Sequence, residues 1–209
     1  MSEPTRKRPA ETDSERAEKR TRRCALVKII SGGQTGADRA GLEAAHELGL
    51  ETGGFVPHGC MTSAGPDIEL RTKYHLEELP IGPIKATYPR RSMLNVDRAD
   101  ATVAFRLKAS PGTDRTIQYC RTAKWAKKTT NDAPVSIFRP VFVVSRFDAA
   151  TEKALREWIV EFNVATLNVS GHREYRLPSS RSFKDAVREF LVRALRPLIS
   201  QHAGETRED

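Results

Sequence analysis

The sequence predicts an α/β fold, a mainly parallel sheet with helices on both faces. Three observations predict it. Apolar runs of strand length alternate along the chain with longer stretches whose apolar residues recur at helical spacing. Glycine-bearing turns join strand to helix at residues 31–36 and again at 110–114. The chain then closes on an unbroken amphipathic stripe: Phe183, Ala186, Val187, Phe190, Leu191, Ala194, Leu195 and Leu198. Such alternation builds a parallel sheet through crossover helices, here of about five strands and five helices.

The elements follow in order. Cys24 to Ile30 reads as a buried strand, and Ser31-Gly32-Gly33-Gln34-Thr35-Gly36 is the turn that follows. Ala40, Leu42, Ala45 and Leu48 then mark a helix. Glu51 to Val56 is a short second strand, and Pro57 to Pro66 a long loop dense in turn formers. Tyr74 to Leu79 is a brief extended or helical piece ahead of a proline-marked connection, Pro80 to Pro83. Helical spacing resumes over Tyr88 to Arg98. Ala101 to Phe105 is the next buried strand, running into Ser110-Pro111-Gly112-Thr113-Asp114 and a helix carrying Thr116, Ile117, Cys120 and Lys124. Lys127 to Pro134 is a polar linker. Val135 to Phe138 is an edge piece or an insertion, and Val141 to Val144 is the better strand. Thr151 to Phe162 forms an amphipathic helix through Leu155, Trp158, Ile159 and Phe162. Val164 to Val169 is a strand ending in the loop Ser170-Gly171-His172-Arg173-Glu174, and Ser182 with Asp185 caps the last helix.

The chain of 209 residues divides into a basic tail (1–23), a domain (24–200) and a short polar tail (201–209). The first 23 residues carry net +3 of a total +8, hold no aromatic residue, and are predicted to be disordered. Their clusters Lys7-Arg8 and Lys19-Arg20-Thr21-Arg22-Arg23 stand ten residues apart, the pattern of a bipartite nuclear localisation signal read by an import receptor. A solubilising or nonspecific nucleic-acid-binding tail has the same composition. Fusing residues 1–23 to a fluorescent protein separates the two by nuclear enrichment. The remaining +5 suits an anionic partner without choosing among them. Three scattered cysteines, with no C-x-x-C, indicate neither a zinc knuckle nor a disulfide framework. They predict an intracellular compartment, cytoplasmic and, if the tail is an import signal, nuclear. No apolar run approaches the ~20 residues of a membrane span.

The first turn follows a strand and opens a helix, the arrangement in which free N–H groups and the helix dipole hold an anion. Ser31, Gly33 and Gly36 occupy the glycine positions of G-x-G-x-x-G with the first glycine missing. No Gly-Lys-Ser/Thr follows, so this is not a Walker A loop. A purely structural turn needs the same glycines for positive φ.

Several segments together resemble the molybdenum cofactor carrier-like family, a circularly permuted branch of the SLOG, or lysine decarboxylase-like, superfamily. Lys28 to Leu42, through Ser31-Gly32-Gly33-Gln34-Thr35-Gly36-Ala37-Asp38-Arg39, is similar to its signature. Gly53-Gly54-Phe55-Val56-Pro57-His58-Gly59 resembles its G-G-W-x-P-x-G block. Arg91, Asn95, Val96 and Asp100-Ala101-Thr102 fit its helix–strand block, and Gly112-Thr113 its G-G-T turn. Leu167 to Glu174 resembles its end block, L-N-V-A-G-x-R-x-S. The resemblance spans roughly residues 25–200. It implies a Rossmann-like three-layer sandwich, a homo-oligomer, and a binding or carrier protein for a small phosphorylated ligand. Molybdenum cofactor is the named candidate, with a related pterin or nucleotide beside it.

Three departures bear on the ligand. Pro111 stands where the family places a first glycine and removes one N–H donor. Cys60-Met61-Thr62-Ser63 replaces residues that relatives often fill with arginine, and Lys127 to Phe138 looks inserted.

Each candidate residue carries two readings. Gln34, Thr35 and Thr113 offer an amide and hydroxyls to phosphate oxygens. Asp38 either caps the first helix or orients a ligand hydroxyl, and Arg39 either pairs with phosphate or is solvated. Asn95 either reads a pterin or purine edge or is a helix-surface amide. Arg173 and Glu174, with Gly171, end a strand where charged pairs are often functional; the alternative is a surface ion pair. His58, Gly59 and Cys60 sit in a ligand-side loop without the further ligands a metal needs. No catalytic set is compelling. A phosphoribohydrolase-type enzyme cleaving an N-glycosidic bond would need a carboxylate near the sugar carbon, for which Asp38 or Glu43 is available. A nucleic-acid-associated protein using the tail is the third alternative, with steep salt dependence as its mark.

Overall fold

The computed structural model describes residues 26–122, 125–127, 135–137 and 139–200. Five strands make one parallel sheet. In chain order they are β1 (Lys28–Ser31), β2 (Glu51–Gly53), β7 (Ala101–Phe105), β10 (Val141–Val144) and β11 (Thr166–Gly171). Two-residue strands lie between them: β3 (Phe55–Val56), β4 (Met61–Thr62), β5 (Gly65–Pro66) and β6 (Glu77–Glu78). The strands β8 (Trp125–Lys127) and β9 (Val135–Ile137) form a separate antiparallel hairpin. The helices are α1 (Ala37–Glu47), α2 (Glu69–Thr72), α3 (Ile84–Arg98), α4 (Pro111–Thr122), α5 (Ala149–Glu161) and α6 (Phe183–Ser200).

The sheet runs in the order β10-β7-β11-β1-β2. The connection β1–α1–β2 steps one way across it and β7–α4–β10 steps the other. Right-handed crossovers in opposite directions place their helices on opposite faces. The contacts agree: α1 and α5 pack with α6 on one face, while α3 packs with α4 on the other. The protein is a three-layer α/β sandwich with a parallel central sheet.

Local chemistry explains the elements. Every residue of β7 is buried, as expected of an inner parallel strand covered on both faces. Glu51 on the edge strand β2 is exposed. The main core joins Ile29, Val103, Phe105, Leu167 and Val169 of the sheet to Leu155, Phe183, Phe190 and Leu195 of the helices. A second cluster, Leu42, Val56, Cys60, Leu70, Tyr74 and Leu76, anchors the segment between β2 and α3. At the start of α6, Ser182 Oγ accepts the N–H of Asp185 at 3.2 Å.

Three expectations shift. The helix expected from Tyr88 begins at Ile84, with Pro89 inside it. The missing Pro89 N–H frees the carbonyl of Lys85, which stands in the exposed first turn of the helix. The long loop at 57–66 contains a one-turn 3₁₀ helix at His58–Cys60 and the β4–β5 hairpin. The run from Val135 pairs with Trp125–Lys127 and not with the main sheet. Most of the linker 127–134, Cys24, both tails and the basic clusters (Lys7, Arg8, Lys19, Arg20, Arg22, Arg23) lie outside the described residues. No helix among the described residues is long and apolar enough to cross a membrane.

Candidate functional site

Because the connections from β1 and β7 diverge and β11 lies between them, a crevice opens at the C-terminal ends of these three strands. A cavity of about 470 Å³ occupies it. Its wall combines Gln34 and Asp38 after β1, Lys108, Ser110, Gly112, Thr113, Arg115 and Thr116 around the start of α4, and Ser170 to Tyr175 at and beyond the end of β11. Tyr88, Pro89, Arg91, Ser92 and Met93 of α3 complete it.

The first glycine turn is closed on itself. Ser31 Oγ donates to the Asp38 carbonyl (3.0 Å) and accepts from Gly33 N–H (3.2 Å). Gln34 N–H donates to Asp38 Oδ2 (3.3 Å), Thr35 N–H to Gln34 Oε1 (2.9 Å), and Ala37 N–H to the His172 carbonyl (3.0 Å). The N–H groups of Gly33, Gln34, Thr35 and Ala37, four of those expected to cradle an anion here, therefore already have acceptors. Gly33 and Gly36 serve conformation, at φ 69° and 87°. A Cβ on Gly36 would stand 2.4 Å from the His172 carbonyl oxygen, and one on Gly32 would coincide with the Arg91 guanidinium.

The second turn is the open one. The N–H groups of Gly112 and Thr113 lie in the first turn of α4, where no intrahelical acceptor exists, and both residues line the cavity. Pro111 occupies the first helical position, where a missing N–H costs least. Ser110 Oγ and Thr113 Oγ1 stand 3.0 Å apart beside them. Arg106 pairs with Asp114 and, with the Ser110 N–H, holds its carboxyl below the usual range.

Around this helix terminus the charge is unbalanced. Among the described residues, no carboxylate partners Lys108, Arg115 or Arg173, all on the cavity wall. The Lys108 ammonium lies 3.9 Å from the Tyr175 ring centroid, and the guanidinium groups of Arg91 and Arg173 each lie 5.9 Å from that of Tyr88. Tyr175 stacks on Phe183 at 4.8 Å, so this wall is rigidly backed. His172 ties two loops together: its Nε2 accepts the Lys108 N–H at 3.3 Å, and burial lowers its pKa.

Deeper in, Asp38 and Arg91 form a buried pair, Nη1 to Oδ2 at 2.6 Å. Burial pushes the Asp38 carboxyl up, against the pull of Arg91 and of the Gln34 and Gly32 N–H groups. Glu174 Oε2 accepts the Lys184 N–H at 2.8 Å, at the start of α6.

Of the residues singled out by sequence, the cavity gathers Gln34, Asp38, Gly112, Thr113, Gly171, Arg173 and Glu174. The others stand apart from its wall. Arg39 turns to the opposite side of α1, where Glu43, Asp67 and Glu69 hold it over the Tyr74 ring. The imidazole of His58 and the N–H of Gly59 both face Glu78. The Asn95 amide is neither at the helix surface nor free: it accepts from Phe55 N–H (2.8 Å) and donates to the Phe55 carbonyl (3.2 Å). Thr35 Oγ1 bonds Ser63 Oγ at 2.7 Å. Among the described residues, no group of three or more His, Cys, Asp and Glu is placed to hold a metal ion.

Tyr88, Lys108, Arg115, His172 and Tyr175 are wall residues that sequence reasoning missed. The available signal was modest: Lys108 and Arg115 bracket the second glycine turn, as basic residues around an anion site would.

Comparison with known proteins agrees with this architecture. No curated protein matches the chain at a significant level. The crystal structure of the "Putative molybdenum carrier protein" from Syntrophus aciditrophicus SB is similar over 82% of this chain and 96% of that one, at 27% identity and a TM-score of 0.60. The profile of the circularly permutated YpsA SLOG family matches residues 29–195, from the first strand to the last helix. The ordered motifs, the parallel sheet and this match over most of the chain lead to one assignment: the chain belongs to the circularly permutated YpsA SLOG family.

Proposed function

We propose that the cavity binds a small phosphorylated ligand of the nucleotide or pterin class, and that the protein acts as its binding or carrier protein. One observation carries the reading. Lys108, Arg115 and Arg173, which have no carboxylate partner among the described residues, share the wall of one cavity with the free first-turn N–H groups of α4. A phosphate there accepts from Gly112 and Thr113 N–H and the Ser110 and Thr113 hydroxyls, with the cations neutralising its charge. Tyr88 and Tyr175 flank the space where a planar ring would lie.

Molybdenum cofactor is the candidate that the sequence resemblance implies, and the similar structure carries the name of a molybdenum carrier protein. The donor set fits its phosphate, and the cofactor brings its own dithiolene sulfurs for the metal, so no protein cysteine is required. Binding is favoured over N-glycosidic cleavage because both cavity carboxylates have other tasks: Asp38 neutralises Arg91, and Glu174 caps α6.

Mass spectrometry of small molecules released from the native full-length protein, with calorimetry against inorganic phosphate and nucleoside monophosphates, tests the reading. Replacing Lys108 or Arg115 by alanine removes a charged hydrogen bond of about 1.5–3 kcal/mol, hence roughly ten- to hundredfold in affinity. Absence of any affinity for phosphate, nucleotide or pterin phosphate overturns it. For the basic clusters at 7–8 and 19–23 we propose nuclear import, tested by the fusion described above.

A further inference from the structure

We infer that the inner end of the cavity reads an acceptor-only, oxo-bearing ring edge, with Gln34 as the specificity-determining residue. The inference rests on the phosphate-ligand reading and adds to it the identity of the ring.

The orientation of the Gln34 amide is fixed by its neighbours. Its Oε1 accepts from Thr35 N–H (2.9 Å), Ser63 N–H (2.7 Å) and Ser63 Oγ (2.9 Å). Backbone N–H groups only donate, so the atom facing them is the carbonyl oxygen and the other is the NH₂. That nitrogen is buried and has no acceptor. Arg91 repeats the pattern: Nη1 is held by Asp38, while Nε is buried with no acceptor. Both residues are 7% exposed and both line the cavity. Two unsatisfied buried groups on the wall of one cavity, both of them donors, point to acceptors on whatever enters.

Two of the nearby side-chain acceptors are already engaged. Asp38 Oδ2 receives Arg91 and the Gln34 N–H, and the Asn95 carbonyl receives Phe55 N–H. An exocyclic amino group placed here would meet donors, whereas an exocyclic carbonyl oxygen beside an unprotonated ring nitrogen would satisfy them. The 6-oxopurine edge offers that pair and the 6-aminopurine edge does not; a 4-oxopteridine offers it too. The geometry joins this end to the phosphate end. The α4 turn follows β7 and the Gln34 turn follows β1, two strand spacings apart across β11, about 10 Å. A phosphate and a ring edge on one small molecule span that separation.

The hairpin β4–β5 has a part in this. Ser63, at its tip, supplies two of the four donors that hold the Gln34 carbonyl, the other two coming from Thr35, which makes Ser63 a positioning residue.

Calorimetry on the full-length protein with IMP, AMP and a pterin monophosphate tests the assignment. IMP is expected to bind at least about tenfold more tightly than AMP, the worth of one satisfied donor. In Gln34→Glu one carboxylate oxygen keeps the Ser63 and Thr35 donors and the other presents an acceptor, so the ratio is expected to fall to one or invert. Gln34→Met, which deletes the donor without adding charge, is expected to abolish the preference and covers the case in which the glutamate variant does not fold. A pterin monophosphate tighter than IMP assigns the same edge to a pterin, and the reverse assigns it to a purine. Equal or tighter binding of AMP by the unaltered protein overturns the inference while leaving the phosphate reading intact. So does a ratio unchanged in both variants. No binding of any of the three overturns both.

Discussion

Asp38 and Arg39 are adjacent in sequence and opposite in role. Successive helical residues point about 100° apart, so one faces the cavity and the other faces Asp67 and Glu69. The sequence shows both residues in the first turn of a helix, but only the fold shows which one turns inward. Asp38 needs Arg91, which is 53 residues away and reaches it from α3 across Gly32. With both side chains 8% exposed, the pair is expensive to break. Arg91→Met leaves a buried carboxylate uncompensated and is expected to cost about 3–5 kcal/mol in denaturant unfolding. Adding Asp38→Leu is expected to recover most of that loss, since an apolar pair of similar volume removes the stranded charge. A double variant no more stable than Arg91→Met would show that the loss lies in Arg91 packing and not in its charge.

At the scale of elements, the two glycine turns exchange the emphasis the sequence places on them. Ser31 to Arg39 is the more conspicuous motif, yet the N–H groups of Gly33, Gln34 and Thr35 are bonded within the turn and that of Ala37 to the loop after β11. Gly112-Thr113 is the weaker motif, and its helix terminus is the open one. The difference was not legible because motif spacing specifies where a turn falls, and not which of its donors a distant loop will take. His172, whose carbonyl receives Ala37 N–H, lies 135 residues from it. The strand–turn–helix units themselves were legible, because strand-length apolar runs and the α6 stripe depend on local spacing. Two alanine substitutions separate the roles of the turns. Gly36→Ala forces a Cβ onto a positive φ and against the His172 carbonyl, and is expected to destabilise by about 1–3 kcal/mol or more. Gly112→Ala meets nothing within 4 Å and is expected to change stability by no more than about 0.5 kcal/mol. Thermal unfolding of the two variants side by side checks both values. A Gly112→Ala loss as large as that of Gly36→Ala would contradict the description of an open second turn.

For the molecule as a whole, the site exists only because the sheet order brings three loops together, and His172 is one of the bonds that hold them. Its backbone joins the β11 loop to α1 and to Phe105, and its side chain joins that loop to Lys108. Burial lowers its pKa, with Lys108 and Arg106 acting in the same direction and Asp114 against them. The sign of the consequence follows. Below the unfolded-state value, about 6.5, the unfolded chain takes up a proton that the native imidazole resists, so stability falls as pH drops through that range. Protonation would also turn the Nε2 acceptor into a donor facing the Lys108 N–H, loosening the segment that carries the cavity's unpaired ammonium. Unfolding midpoints measured between about pH 7.5 and about pH 5 are therefore expected to decline in the native protein. The decline should be smaller by one proton's worth in His172→Gln, whose amide oxygen can still accept from Lys108. A saturating phosphorylated ligand is expected to raise every midpoint, through a gain in unfolding free energy of about 2.7 kcal/mol at a hundred times its dissociation constant. It should do so less at the acid end in the native protein and evenly across the range in His172→Gln. Identical pH profiles for the two proteins would show that His172 does not couple the loops to the site.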